Sequence, residues 1–379
     1  MREWQSRSAL AEKVQHPRAV LLHWRAPDPH SGDIRFLSIA DALRERFDIS
    51  VLVVSETRGD LDADWHFIHA EGLDVRSYER MLPGRGARRY AFPSSEVGAL
   101  LEEINPQLVW LDHWHASAAR KLWADVRARG CIVVFDWDLR SEYFRSGASW
   151  HARRGHLTRG LVMALQASSM RAYERSFLAG FTMCAVPTMT EATRLRALTG
   201  APSAVVRNGL DGISNTTYPK PAYDFTFLGS GYRPNQEGVN WFLDRIWPGY
   251  RRRHPEATLA LAGHGLAART DAGVLLLGSV PDAAEFVASG RVFLSPVGWG
   301  SGSQNKLFLA RSLGVPVVTD PFGGPALDGY PGTYLARRPG QWMGQMQRAL
   351  EAGEVQPDGL TWDTRTDVLH LARDLIGPP

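Results

Sequence analysis

The sequence predicts an α/β protein made of two doubly wound domains that face each other across a central cleft. Three observations lead there. Short apolar runs alternate with helical stretches along nearly the whole chain, the order a parallel sheet requires because each crossover must carry a connecting segment, usually a helix. That alternation stops once, at Asn208, and restarts at Phe225. The 379 residues also exceed one ordinary core and suit two domains, each of about 150–200 residues.

In the first half, residues 19–24 (AVLLHW) read as a strand. A Pro/Gly-rich loop, a helix over 34–47 and a strand over 49–54 follow, which is the unit of a parallel sheet. Strand-like runs recur at 108–111, 131–135, 182–186 and 204–206, with helical stretches at 94–104, 116–129 and 161–178. Asn208-Gly209-Leu210-Asp211 breaks the pattern and opens a polar, proline-containing connection. The second half then reads strand 225–228, helix 237–252, strands 258–262 and 274–277, helix 283–289, strand 292–295, helix 305–313 and strand 315–319. The domains are therefore 1–207 and 224–379, joined by 208–223, with the last helix free to pack back on the first domain.

Composition excludes several classes. The chain is 44% hydrophobic and 22% charged, as soluble globular proteins are. A net charge of +3 is too small for a strong nucleic-acid field. No apolar run approaches the ~18 residues of a membrane span, and the first segment, MREWQSRSALAEKVQHPR, has no apolar leader core. A cytoplasmic protein is expected, with contact to a membrane surface left open. Cys131 and Cys184 lie in apolar runs and are expected to be buried free thiols.

The most informative stretch is 295–320, SPVGWGSGSQNKLFLARSLGVPVVTD. A strand end, a glycine-rich loop and a helix start follow one another there, so backbone N–H groups and a positive dipole end are available to an anion. Gly298, Gly300 and Gly302 are expected to let a ligand approach the backbone closely. Lys306 falls in the helix's first turn, an unfavourable place for a cation unless an anion such as a diphosphate lies there too. Gly229-Ser230-Gly231-Tyr232-Arg233-Pro234-Asn235 repeats the design after strand 225–228, so Arg233 and Lys306 together would neutralise a diphosphate. Asp282, after Gly278-Ser279-Val280-Pro281, reads as a helix N-cap, with Val280 able to offer its backbone to a nucleobase.

Three first-domain loops lie where open α/β sheets bind ligands, beyond strand carboxyl ends. Ser31, Gly32, Asp33 and Arg35 form the first, with Asp33 readable equally as a cap. His113 and His115 form a polar wall in Asp112-His113-Trp114-His115; no further ligands are spaced for a metal. Asp136-Trp137-Asp138 offers an aromatic sugar platform and carboxylates for hydroxyls. Asp138 is open to two readings, general base or helix cap.

These residues, in this order, resemble the GT-B sugar-nucleotide glycosyltransferases, in particular the large retaining, glycosyltransferase family 4-like group (glycosyl transferases group 1), whose two domains are Rossmann-like. The resemblance runs from the first strand to about Ala336. Asn208-Gly209-Leu210-Asp211 is similar to that group's linker motif. FLGSGYRPNQEGVNWFLDRIWP is similar to the segment opening its donor domain, and GSVPD and SPVGWGSGSQNKLFLARSLGVPVV to its base- and sugar-phosphate-binding segments. SGDIR and FDWDLRSEY match more weakly.

The resemblance implies sugar transfer from a nucleoside-diphosphate sugar, UDP- or GDP-linked, to an acceptor hydroxyl with retention. Neither a metal nor another cofactor is implied. Arg233 and Lys306 would hold the diphosphate, with Gly229 and Ser230 beside them and Val280 and Asp282 by the base. Ser301, Gly302, Ser303, Gln304 and Asn305 would surround ribose and sugar, with Trp137 or Asp138 near the transferred sugar. Acceptors implied are a surface-polysaccharide, lipid-linked or small-molecule precursor. A catalytically impaired binder and a nucleotide-sugar epimerase remain alternatives. Ser301 and Leu309 stand where many members carry two glutamates, the second accepting ribose hydroxyl bonds. Leu309 accepts none, and Leu309→Glu is expected to be tolerated or to tighten donor binding if the pocket resembles the group's.

Overall fold

The computed structural model describes residues 16–24, 34–59, 61, 65–70, 92–112, 114–178, 180–208, 218, 220–268, 271–301, 304–356 and 363–377. Among them, the first sheet holds seven parallel strands: β1 (Arg18–His23), β2 (Asp48–Ser55), β3 (His66–His69), β4 (Leu108–Asp112), β5 (Ile132–Asp136), β6 (Met183–Val186) and β7 (Ser203–Val205). Their order is β3-β2-β1-β4-β5-β6-β7. Helices α1 (Ile34–Arg44), α2 (Ser94–Ile104), α3 (Arg120–Ala128), α4 (Arg140–Arg153), α5 (Leu157–Leu178) and α6 (Met189–Thr199) accompany them.

The second sheet has six: β8 (Tyr223–Leu228), β9 (Leu259–Ala262), β10 (Val274–Gly278), β11 (Gly290–Ser295), β12 (Val317–Thr319) and β13 (Thr333–Leu335), ordered β10-β9-β8-β11-β12-β13. With them are α7 (Arg233–Arg245), α8 (Trp247–Arg253), α9 (Ala283–Ala288), α10 (Asn305–Ser312), α11 (Pro339–Ala352) and α12 (Thr364–Ile376). Strand order reverses beside β1 and β8, and such switch points open a ligand crevice at the carboxyl ends.

Central strands read as continuous apolar runs because helices cover both faces. Val20, Leu21 and Leu22 of β1 are all buried, and so are Phe225 and Phe227 of β8. Two differences from the sequence reading have local causes. Strand β3, HFIH, carries too little apolar signal to be recognised and forms by pairing with β2. The single helix expected over 237–252 is two, α7 and α8, meeting at Ile246-Trp247-Pro248. Pro248 has no N–H to donate and is tolerated only in a helix's first turn, so a new helix starts there.

Helix α12 packs on α1, burying Val368, Leu371 and Ala372 in the first domain's core. Asp367 receives the Arg207 guanidinium at 2.5 and 2.8 Å, and Thr364 Oγ1 donates to Arg207 O at 2.8 Å. The chain end thus clasps the segment leaving β7.

A second clasp joins the domains beside the crevice. Trp299, on the loop after β11, is fully buried within the first domain's aromatic cluster, 5.0 Å from Tyr143 and 5.5 Å from His151 between ring centres. The next residue, Gly300, donates its N–H to Ser146 Oγ at 3.0 Å and accepts from it at 2.9 Å. This changes the expectation for Gly298. A Cβ there would overlap the Trp150 ring, so that glycine admits a neighbouring domain rather than a ligand.

Candidate functional site

A cleft of about 100 Å³ lies between the sheets' carboxyl ends, with Ser301, Gln304, Phe308 and Phe322 on one wall and Glu142, Thr188, Glu191 and Arg194 on the other. On the second-domain side, α10 starts at Asn305 with no side-chain cap among the described residues, and its positive dipole end faces the cleft. Lys306 Nζ donates to Asn235 Oδ1 at 2.5 Å and sits 4.7 Å from the centre of the Phe227 ring. Asn235 Nδ2 in turn donates to Ser230 O at 3.1 Å. The two loops singled out in the sequence are therefore tied by one side chain. Burial pulls the Lys306 ammonium down to about 7. A half-buried cation whose hydrogen-bond partner among the described residues is a neutral amide favours an anionic neighbour.

Arg233 opens α7, and its Nε donates to Glu237 Oε1 at 3.1 Å. Asp282 caps α9, accepting from the N–H groups of Ala284 and Glu285 at 2.7 and 2.9 Å, which commits Oδ1 to the helix. Val280 is half-buried against the neighbouring apolar cluster. Gln304 Oε1 accepts from Ser295 Oγ at 3.2 Å, and Asn305 Oδ1 accepts from Asn208 Nδ2 at 2.6 Å. Gly229 and Ser230 lie at the exit of β8. Gly302 and Ser303 lie outside the described residues.

The first-domain side departs further from expectation. Arg35 forms a bidentate pair with Asp136 at 2.8 and 3.1 Å and also donates to Val206 O and Asn208 Oδ1 at 2.5 and 2.6 Å. That guanidinium is a clamp between β5 and the interdomain connection, not an open acceptor contact. Trp137 is buried in the core, stacked on Phe135 at 5.2 Å and edge-on to Phe177, with Nε1 donating to Glu174. With its faces occupied, it offers no sugar platform. The N-cap of α4 is Leu139, one residue beyond Asp138, and no side-chain cap bond is made there among the described residues. Asp138 stands instead in the electrostatic neighbourhood of Asp136, Arg35 and Glu191. Ser31, Gly32, Asp33 and His113 lie outside the described residues. His115 falls in a 3-10 turn over Trp114–Ala118, its side chain outside the description as well.

Two groups were missed. Burial and the nearby Asp138 push Glu191 up to about 8, so a protonated carboxyl faces the cleft at neutral pH. Thr188-Met189-Thr190-Glu191 carries the Ser/Thr-x-x-Glu pattern of a helix start, and Thr188 Oγ1 does accept from Glu191 N at 3.2 Å. That pattern could have located the carboxyl. His23, at the end of β1, has Nδ1 2.6 Å from Asp112 Oδ2 at the end of β4, its ring stacked on Phe36 at 4.3 Å. No local motif signals that pair, because the sheet alone brings β1 and β4 together.

Leu309 is 5% exposed and packs with Leu307, Val317 and Tyr330. It points into the second domain's core, so a carboxylate there faces no ribose. Leu309→Glu is accordingly expected to destabilise the fold by about 1–3 kcal/mol, the cost of a buried polar group without a partner. Denaturant unfolding monitored by circular dichroism checks this. An unchanged midpoint with tightened nucleotide binding would restore the ribose role.

Residues 222–352 match the family described as Glycosyl transferases group 1. No curated protein sequence matches the chain. Among solved structures, the chain is similar to the sucrose-phosphate synthase of Thermosynechococcus elongatus, at a TM-score of 0.60 and 13% identity over 95% of this chain and 96% of that one. It is also similar to HepE of Anabaena in complex with UDP and glucose, at 0.54 and 14% over 95% of each. A protein of Listeria monocytogenes assigned as a UDP-N-acetylglucosamine 2-epimerase aligns at 0.56 and 11%, over 96% of this chain and 98% of that one. The architecture is GT-B, and residues 222–352 are its family-bearing part.

Proposed function

From a chain of GT-B fold whose second domain carries the glycosyl transferases group 1 match, we infer a glycosyltransferase that moves a sugar from a UDP-sugar to an acceptor hydroxyl. The observation that carries this reading is Lys306: a half-buried ammonium near neutrality in the first turn of α10, tied through Asn235 to the Ser230 loop. A diphosphate laid across α10's first turn would meet Lys306 and the helix dipole together. Arg233 enters α7 from the neighbouring loop and would take the second phosphate.

The sugar would then extend toward Ser301 and the carboxyls of the opposite wall. Those groups bond to hydroxyls, and the protonated Glu191 donates where an ionised carboxylate only accepts. Cleavage of the anomeric C–O bond leaves negative charge on the diphosphate, and the cation and dipole stabilise it more as it develops. The departing phosphate oxygen takes the acceptor's proton on the same face, so configuration is retained without a protein base.

A second reading, transfer with inversion, is favoured by the His23–Asp112 pair, a histidine oriented by a carboxylate as a general base requires. His23 is 1% exposed, which weighs against it. Incubating purified protein with UDP-glucose and simple sugar acceptors, following UDP release and reading the product's anomeric proton by NMR, separates these readings. Retention supports the first; inversion lost in His23→Ala supports the second. Binding without turnover would leave a nucleotide-sugar binder, and absence of both overturns the proposal.

A further inference from the structure

Away from the donor cleft, a cavity of about 570 Å³ opens between the α4–α5 turn of the first domain and α7 of the second. Arg153, Arg154, Arg159 and Arg245 line it, against the carboxylates of Glu237 and Asp244. From 143 to 173 the sequence holds five arginines and no acidic residue, so the first-domain wall is uniformly positive. The Arg154 guanidinium packs against two indoles, 2.9 Å from the centre of the Trp150 ring and 4.4 Å from that of Trp241, and its Nε has no hydrogen-bond partner among the described residues. Burial pulls it down to about 10, more than the nearby carboxylates of Asp320 and Glu237 offset. His151, 2% exposed, also lines the cavity; its Nε2 is 3.3 Å from Glu237 Oε2 and its Nδ1 has no hydrogen-bond partner among the described residues.

Several guanidinium donors, one of them packed on indoles, beside a buried imidazole, suit a tetrahedral oxyanion. We propose that this cavity binds a phosphate-bearing ligand at a second site, separate from the donor cleft and bridging the two domains. The volume exceeds a phosphate alone, leaving room for the group that carries it. Two sources share that chemistry. A soluble phosphomonoester would enter from solvent. A phospholipid headgroup would be presented by a membrane, against which Leu157, Leu161 and Leu165 stand exposed along the adjoining face of α5. Glu237 connects the sites, because its Oε1 receives both Arg159 at 2.6 Å and Arg233 at 3.1 Å.

The test titrates the full-length protein with glycerol 3-phosphate by calorimetry, and separately sediments it with phosphatidylglycerol or phosphatidylcholine vesicles. The variants are the double Arg153→Gln/Arg159→Gln, at two solvent-reaching positions, and Lys306→Met in the donor cleft. Saturable glycerol phosphate binding, weakened at least tenfold by the double variant and kept by Lys306→Met, supports the site with a soluble ligand. Selective binding to phosphatidylglycerol vesicles, lost in the double variant and kept by Lys306→Met, supports it with a lipid source. Arg245→Gln, on the opposite wall, serves as a second variant should the double one melt below wild type without ligand, and the same weakening is expected. Binding to neither probe, binding that the cavity variants keep, or binding lost only in Lys306→Met overturns the proposal.

Discussion

Trp299→Ala is expected to lower stability by about 3–5 kcal/mol, the usual cost of emptying a large aromatic site, and to uncouple the two domains. The indole belongs by sequence to the second domain and by packing to the first, fully buried beside Tyr143 and His151. Its removal leaves a void in the first domain's cluster, and the surroundings cannot close it easily because Gly298 and Gly147 are already pressed against Trp150, Trp299 and Met163. The Ser146–Gly300 hydrogen bonds then lose the wedge that aligns them. Calorimetry should show the wild type melting in one transition and the variant in two, at a lower first midpoint. Small-angle scattering should show a larger radius of gyration for the variant. An unchanged melting profile would mean that the domains are held together elsewhere. Since the loop proposed to hold the donor continues from the same segment, nucleotide affinity is expected to fall too.

The two-domain α/β plan was legible because strand and helix periodicities are local properties, and each sheet repeats them. Lys306 and the loop before Arg233 were legible for the same reason: glycine, cation and helix start are neighbours in sequence. What escaped is what only the folded sheet assembles. His23 and Asp112 are far apart in the chain and meet through β1 and β4 pairing. Arg35 looked like a ligand contact until β5 supplied Asp136. Trp137 looked like a platform at a strand end. It turns inward because Phe135 and Phe177 offer it apolar faces and Glu174 accepts its indole N–H. An aromatic or charged residue at a strand's carboxyl end is thus ambiguous until its partners across the sheet are known.

Lys306→Met is expected to weaken UDP-glucose binding by about thirtyfold or more, the lower end of the roughly 2–5 kcal/mol for removing one partner of a desolvated charge pair. The wild type also makes a pH signature that a merely structural lysine would not. Without ligand, burial holds Lys306 at about 7 against an ordinary 10.5, so the ammonium is only half formed at neutral pH. A bound diphosphate stabilises the charged form and raises that value, so binding takes up a proton wherever the free protein has lost it. The diphosphate of a nucleotide sugar has no proton of its own to titrate near neutrality. Affinity is therefore strongest below pH 7 and falls as pH rises above 7, until the bound form also deprotonates. The unliganded fold carries the opposite dependence. A lysine depressed in the folded state costs stability as pH falls from about 10.5 toward 7 and no further below, because there both states are protonated. Calorimetry with UDP-glucose at pH 6 to 9, in buffers of different protonation enthalpy, counts the proton directly. Wild type should take up a fraction of a proton that grows from pH 6 to pH 8, and Lys306→Met clearly less, keeping only the part that Glu191 contributes toward pH 8. Equal wild-type affinity at pH 6 and 9, or a variant that binds as wild type does, would remove Lys306 from the diphosphate site and with it the observation on which the proposed function rests.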